Sequence, residues 1–312
     1  MAVWTPSATL KILRARALLL RSIRQFFDVR EVLEVDTPVL SQHATVDRHI
    51  ESFKTEKGSW LQTSPEFSMK RLLCAGAGSI WQICKVFRLE EAGRHHNPEF
   101  TLLEWYRQNF DHHQLMDEVE ALLRHCGVDA PLAFERISYR DAFLRHAGFD
   151  PLLASSAEMR VLAEGRSPPP PDDLGESRDA WLDHFFGSIV SPLLGHESPC
   201  FIYDFPASQA ALARVRGEVA ERFELVWRGI ELANGFHELA DANEQAQRFA
   251  ADIEWRRANG KVTPPADQHL IAALRAGLPD CAGVAIGIDR LLMLMERAPD
   301  LASTLAFDWQ RA

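Results

Sequence analysis

Residues 79–110 constrain the fold of this chain more than any other stretch. SIWQICKVFRLEE (79–91) begins as a buried strand, and PEFTLLEWYRQNF (98–110) alternates apolar and polar residues through a second. The residues between them, EEAGRHHN, are polar and contain a glycine. Strand, polar loop and strand make a long antiparallel hairpin. FELVWRGIELANGFHEL (223–239) reads as two further strands joined around Arg228-Gly229. VLEVDTPVL (32–40) suggests a strand interrupted near Pro38, since proline inside a strand marks an edge or a bend.

The other elements are mostly helical. Leu10, Leu13, Ala17, Leu20, Ile23 and Phe27 recur at helical spacing and predict an amphipathic helix over 8–27. Further helices are expected near 112–126, 138–147, 155–164, 179–190 and 241–258, the last rich in Glu, Gln, Arg and Ala. CAGVAIGIDRLLMLMERAP (281–299) has the small-residue pattern of a strand passing through glycine into a helix. Helices and mostly antiparallel strands mix without regular alternation, which makes the class α+β rather than a doubly wound sheet. SPPPPDDLGES (167–177) forbids helix and central strand alike and reads as a surface loop interrupting one domain of 1–312.

Lys+Arg total 34 against Asp+Glu 44, a formal charge of −10. That balance argues against a dedicated nucleic-acid binder, whose affinity comes from neutralising phosphates. Five cysteines without a CxxC pair suggest neither a disulfide framework nor a thiolate zinc site. The first residues lack the features of a signal peptide and the longest apolar runs are too short to span a bilayer, so a cytoplasmic protein without membrane attachment is expected.

Three stretches carry charge inside otherwise apolar strands. Arg88, Glu90, Glu104 and Arg107 occupy the hairpin, while Glu224, Glu231 and Glu238 occupy the later strand pair. Gly287-Ile288-Asp289-Arg290 lies at a strand-to-helix junction. In an unbroken strand Glu224 and Glu238 share a face and Glu231 falls opposite; a turn or bulge at Arg228-Gly229 would bring Glu224 and Glu231 together. Such charges suit a solvated sheet face. Carboxylates beside arginines also suit a nucleoside triphosphate with Mg²⁺, the acids holding the cation and the arginines the phosphates.

VFRLEEAGRHHNPEFTLLEWY (86–106) resembles motif 2 of the class II aminoacyl-tRNA synthetases in its lysyl form. VLEVDTPVL resembles motif 1, GIELANGFHEL (229–239) the metal-binding strand, and GVAIGIDRLLML (283–294) motif 3. TSPEFSMKRLL (63–73) resembles the segment that delivers an amino-acid contact, and the ordered set covers essentially the whole chain. The fold implied is a class II catalytic core, an antiparallel sheet flanked by helices. Motif 1 starts too near the beginning for the anticodon-binding OB domain of lysyl-tRNA synthetases. The chain therefore resembles the elongation factor P lysine ligases, truncated relatives that attach a lysine-type amino acid to a lysine of that translation factor. YDFPASQAAL (203–212) is similar to that subfamily as well.

The resemblance implies ATP and Mg²⁺, and a role for each matching residue. Arg88 would grip the α-phosphate and Glu90 the adenine amino group, with His96 and Asn97 in the loop that clamps ATP. Phe100 and Arg290 would sandwich the adenine. Leu89, where the family has asparagine, lies in the same ATP segment and is expected to point elsewhere in a strand. Glu224 and Glu231 match the Mg²⁺ ligands, Leu232 follows them in the ATP-binding strand, and Gly287 would let the backbone approach the nucleotide. For the amino acid, Ser64, Pro65 and Glu66 form the α-amino segment. Glu104, Tyr106, Asn234, Phe236 and Glu238 match the pocket for the distal ammonium, although Tyr106 and Phe236 read equally well as core aromatics. Ala285 stands where lysyl-tRNA synthetases usually have glycine, so a methyl crowds the α-amino end and favours β-lysine over α-lysine.

The pairs His95-His96 and His112-His113 lack a carboxylate or cysteine at ligand spacing and read as surface or loop histidines. The expected partners are elongation factor P, lysine or β-lysine, and a second copy across motif 1, with no tRNA. A synthetase acting on tRNA and a non-catalytic paralogue remain as alternatives.

Overall fold

The computed structural model describes residues 4–89, 93–130, 132–171 and 174–312. In chain order the elements are α1 (Leu10–Asp28), β1 (Leu33–Glu34), β2 (Leu40–Ser41), β3 (Trp60–Leu61), α2 (Glu66–Cys74), β4 (Ile80–Phe87) and β5 (Glu99–Gln108). Then come α3 (His112–His125), β6 (Glu135–Ser138), α4 (Tyr139–His146), α5 (Ser156–Ala163), α6 (Arg178–Phe185) and β7 (Cys200–Pro206). The chain ends with β8 (Val215–Arg216), β9 (Val219–Trp227), β10 (Ile230–His237), α7 (Ala242–Ala258), α8 (Gln268–Gly277), β11 (Cys281–Gly287) and α9 (Ile288–Met295). The class is α+β, with mixed, mostly antiparallel strands and helices, as the patterning predicts. No helix among the described residues is long and apolar enough to cross a membrane.

The chain forms two compact units. The first comprises residues 1–110, 121–128 and 239–312. Its strands run in the order β1-β4-β5-β11, with β4, β5 and β11 antiparallel and β1 parallel to β4. Alternation along β4 and β5 sends Trp81 and Trp105 to one face, where Phe27 of α1 stacks on Trp81 at 4.9 Å and meets Trp105 at 5.4 Å. Burying such aromatic surface against α1 leaves the even-numbered residues to line the opposite face. The stretch 32–40 is interrupted as expected: Leu33–Glu34 and Leu40–Ser41 are short strands, and the Pro38 segment between them belongs to neither.

Asp289 shows how the third charged stretch is used. It is buried, accepts a hydrogen bond from the Thr101 backbone N at 2.7 Å, and pairs with Arg16 of α1. This carboxylate fastens α1 and β5 to the start of α9; its neighbour Arg290 is left for other work.

The second unit comprises residues 111–120 and 129–238. Its strands run β10-β9-β7-β6, with β8 beside β9. Tyr139, Phe143, Phe185 and Phe205 build the core that joins α4 and α6 to these strands. The β9–β10 hairpin closes on Arg228 and Gly229 at φ 54° and 71°. Two successive positive φ values match the twist of antiparallel strands. A Cβ on Gly229 would also come within 3.1 Å of the Pro192 backbone, so glycine is required there twice over.

Candidate active site

The residues singled out by sequence fall in two groups, one in each unit. In the first unit, register sets Gln82, Glu104 and Ala285 opposite one another across β4, β5 and β11. Glu104 is buried, and each of its oxygens is held: Tyr106 donates to Oε1 at 2.6 Å and Ser64 donates to Oε2 at 2.8 Å. Ser64 Oγ also accepts from the Glu66 backbone N at 3.0 Å, tying the start of α2 to the same carboxylate. A buried carboxylate fixed by hydroxyl donors is a preorganised acceptor for an ammonium group. Tyr106 is thus part of the polar cage rather than a plain core aromatic. Glu66, first residue of α2 after Pro65, shares its Oε1 with the buried Lys70 at 2.7 Å, a partner absent from the sequence reading.

On β11, Cys281 at the strand's start faces this side, followed by Gly283, Ala285 and Gly287 nearer Glu104 and Leu102. Of these last three, Ala285 alone has a side chain, and it is half-buried between buried neighbours. Sequence reading put Ala285 at the α-amino end and Glu104 at the distal ammonium. Register makes the two residues cross-strand partners on β11 and β5.

The phosphate-binding candidates lie at the end of the β4–β5 hairpin. Arg88 follows β4; its backbone N donates to Pro98 O at 2.9 Å, and its guanidinium lies 5.1 Å from the centre of the Phe100 ring. Arg290 Nε donates to His95 O at 3.2 Å, and its Nη2 lies 2.7 Å from His96 Nε2. The nearest atoms to a Cβ on Gly287 would be those of the Arg290 side chain, at 3.8 Å, so that arginine borders the space beside Gly287. Asn97 is spent on the scaffold: its Nδ2 donates to Glu99 O at 2.6 Å and its Oδ1 accepts from the Trp309 N at 3.1 Å. Leu89 lies beyond the end of β4 rather than in a strand, with its side chain exposed. Glu90 lies outside the described residues.

The second unit carries the acidic group. The two-residue turn at Arg228-Gly229 pairs Glu231 with Val226, two residues from Glu224 on β9, so the turn brings Glu224 and Glu231 onto one face as expected. Beyond Glu231 a bulge at Leu232 shifts the register, and Asn234 pairs with Glu224. One inserted residue reverses the alternation beyond it. Asn234 and Phe236 consequently join Glu231 on the face of Arg222 and Glu224. Glu238 follows by alternation just past β10, buried and bridged to Ala213.

Arg222, which sequence reasoning missed, organises this face. Its Nη2 donates to Glu224 at 2.5 Å, its Nε to Asn234 Oδ1 at 3.2 Å and its Nη1 to Gln209 O at 2.9 Å. Its position two residues before Glu224 was the available signal. Burial, then the Glu231 carboxylate, push the Glu224 carboxyl up to about 8 against the pull of Arg222. A buried carboxylate whose charge is disfavoured by a neighbouring carboxylate on the same strand pair makes a donor set suited to a hard divalent cation, which relieves the repulsion. Glu224 and Glu231 therefore fit Mg²⁺.

A family model, tRNA synthetases class II (D, K and N), matches residues 3–310, and the chain belongs to that family. The chemistry of the family is ATP-dependent activation and ligation of an amino acid, generally with Mg²⁺.

Proposed function

We propose that this protein activates a lysine-type amino acid, (R)-β-lysine, as its adenylate and transfers it to a lysine side chain of translation elongation factor P. The observation that carries the reading is the buried Glu104 carboxylate, held by Tyr106 and Ser64, with Ala285 its cross-strand partner on β11. An ammonium-seeking carboxylate selects a lysine-type side chain, and a methyl on the wall where lysyl enzymes carry glycine selects among lysine isomers.

The substrate carboxylate attacks the α-phosphorus of ATP in line, and pyrophosphate departs with the electrons of the broken P–O bond. The acceptor amine then attacks the carbonyl of the mixed anhydride, releases AMP and loses a proton. Arg88 and Arg290 neutralise charge on the phosphates, Phe100 offers a stacking face for adenine, and Glu224 and Glu231 hold Mg²⁺. The metal supplies electrostatic stabilisation of the phosphate oxygens; the protein supplies position and charge. Glu66, Asn234, Phe236 and Glu238 complete recognition of the amino acid.

A tRNA acceptor is the second reading, favoured by the family description. The charge of −10 argues against it, since tRNA binding depends on basic side chains. ATP–pyrophosphate exchange with α- and β-lysine isomers tests the amino-acid half: exchange driven best by β-lysine is expected, and equal or better exchange with α-lysine refutes the assignment.

The partner set includes a second copy of the chain. In the first unit α1 and the segment after it expose Leu10, Leu18, Val29, Leu33 and Leu40. Apolar surface of this kind suits an isologous contact. Light scattering at micromolar protein should return twice the chain mass; a monomer mass would eliminate the dimer.

A further inference from the structure

On the side of β9 and β10 opposite Glu224, three buried side chains converge: His112, Glu221 and His237. One ligand atom from each lies within 4.8 Å of the others. We propose that they form a structural binding site for a zinc-class transition metal ion, separate from the Mg²⁺ pair. The sequence reading of His112 as a surface or loop histidine does not hold, because it is the first residue of α3 and only 2% exposed.

His112 is the observation that points to a ligand. Neither of its ring nitrogens makes a hydrogen bond among the described residues, although the side chain is almost fully buried. A buried imidazole without hydrogen bonds is costly unless something else satisfies it. Its backbone is fixed by the cap of α3, where Asp111 Oδ1 accepts from Gln114 N at 2.8 Å and Gln114 Oε1 accepts from Asp111 N at 3.0 Å.

The other two donors are held as rigidly. Glu221 and His237 are cross-strand neighbours, with His237 Nδ1 at 2.6 Å from Glu221 Oε2. The second Glu221 oxygen lies 3.2 Å from Arg216 Nε. The Arg214 backbone spans both residues, its N donating to His237 O at 2.8 Å and its O accepting from Glu221 N at 2.9 Å. A fourth donor stands close: Asp204 Oδ1 is 3.5 Å from His112 Nε2 and makes no hydrogen bond among the described residues. Asp204 occupies the irregularity in β7 between Tyr203 and Phe205, with φ 57°.

Donor chemistry selects the ion. Two imidazoles with carboxylates suit zinc and its transition-metal neighbours, whereas Mg²⁺ and Ca²⁺ take oxygens. Donors about a tetrahedral zinc sit roughly 3.4 Å apart, as bonds of about 2.1 Å require, so small side-chain rotations close the set. The ion would pin the start of α3 to β9 and β10. His237 lies between Phe236 and Glu238, so the same ion would hold the substrate strand from behind.

The test uses the full chain, stripped with a chelator, incubated with a small excess of Zn²⁺ in Mg²⁺-containing buffer and then desalted. Zinc content by mass spectrometry should reach one equivalent per chain, and Co²⁺ in its place should give the visible absorption of a tetrahedral site without a thiolate band. His112→Met keeps side-chain bulk and should weaken metal binding by at least about tenfold, a loss typical even of outer-shell changes. Glu231→Gln should retain the zinc, which separates this site from the Mg²⁺ pair. A wild-type chain with no zinc above buffer and no cobalt band overturns the proposal. Undiminished binding by His112→Met, or loss of zinc in Glu231→Gln, overturns it equally.

Discussion

Glu231→Gln is expected to eliminate adenylate formation, lowering ATP–pyrophosphate exchange by roughly three orders of magnitude or more, while the protein stays folded. The size follows from losing an anionic oxygen on a divalent cation that stabilises phosphate charge, worth several kcal/mol at about 1.4 kcal/mol per tenfold. Glu231 is exposed, so the amide should leave the thermal midpoint close to wild type. Glu224→Gln should show the same loss of exchange with a different effect on stability. Burial and Glu231 already raise the Glu224 carboxyl to about 8, so its charged form is disfavoured in the folded state. The folded protein therefore binds this proton more tightly than the unfolded chain, and stability falls as pH rises from about 4.5 towards 8. Removing the acid should flatten that decline in metal-free protein. Near wild-type exchange in both variants would take the carboxylates out of the reaction.

The same strand pair shows what sequence could and could not disclose. Alternation in PEFTLLEWYRQNF located β5, on which Glu104 and Tyr106 share one face and Trp105 takes the other. Every residue from Thr101 to Tyr106 is buried, so β5 is covered on both faces and its polar face is a buried site rather than a solvated one. Leu232 is different: a single inserted residue has no signature in composition, and nothing in GIELANGFHEL locates the bulge. The turn that unites Glu224 with Glu231 was legible at Arg228-Gly229; the bulge that brings Asn234 and Phe236 onto the same face was not.

Long-range contacts were the least legible. The Arg16–Asp289 pair, the Arg222 network and the convergence of His112 with Glu221 and His237 each join residues through tertiary packing. Ligand spacing along the chain cannot reveal donors that strand pairing and a helix start bring together. Helices α2 and α8 and strand β7 also went unread; β7 ends in Pro206 and carries Asp204 at its irregularity, which masks the period-two pattern.

Ala285→Gly should shift amino-acid preference towards α-lysine. Ala285 is flanked by Gly283 and Gly287 on the open side of β11, so its methyl is the one side-chain atom these three residues add to the wall. One methyl in a close-fitting site is worth ~1–3 kcal/mol, or about tenfold to a few hundredfold in discrimination. The ratio of kcat/KM for α-lysine to that for β-lysine should rise by that factor. Glycine in a strand costs roughly 0.5–1 kcal/mol of stability, which affects both substrates alike and leaves the ratio as the clean readout. An unmoved ratio would remove the methyl as the discriminator.

The central claim is the identity of the acceptor. Incubating the protein with ATP, Mg²⁺, (R)-β-lysine and purified elongation factor P, then measuring the intact mass of the factor, addresses it directly. The account predicts a mass gain of one lysyl unit, located by fragmentation on a single lysine side chain and dependent on Glu231. An unmodified factor alongside efficient charging of tRNA in the same reaction would contradict it.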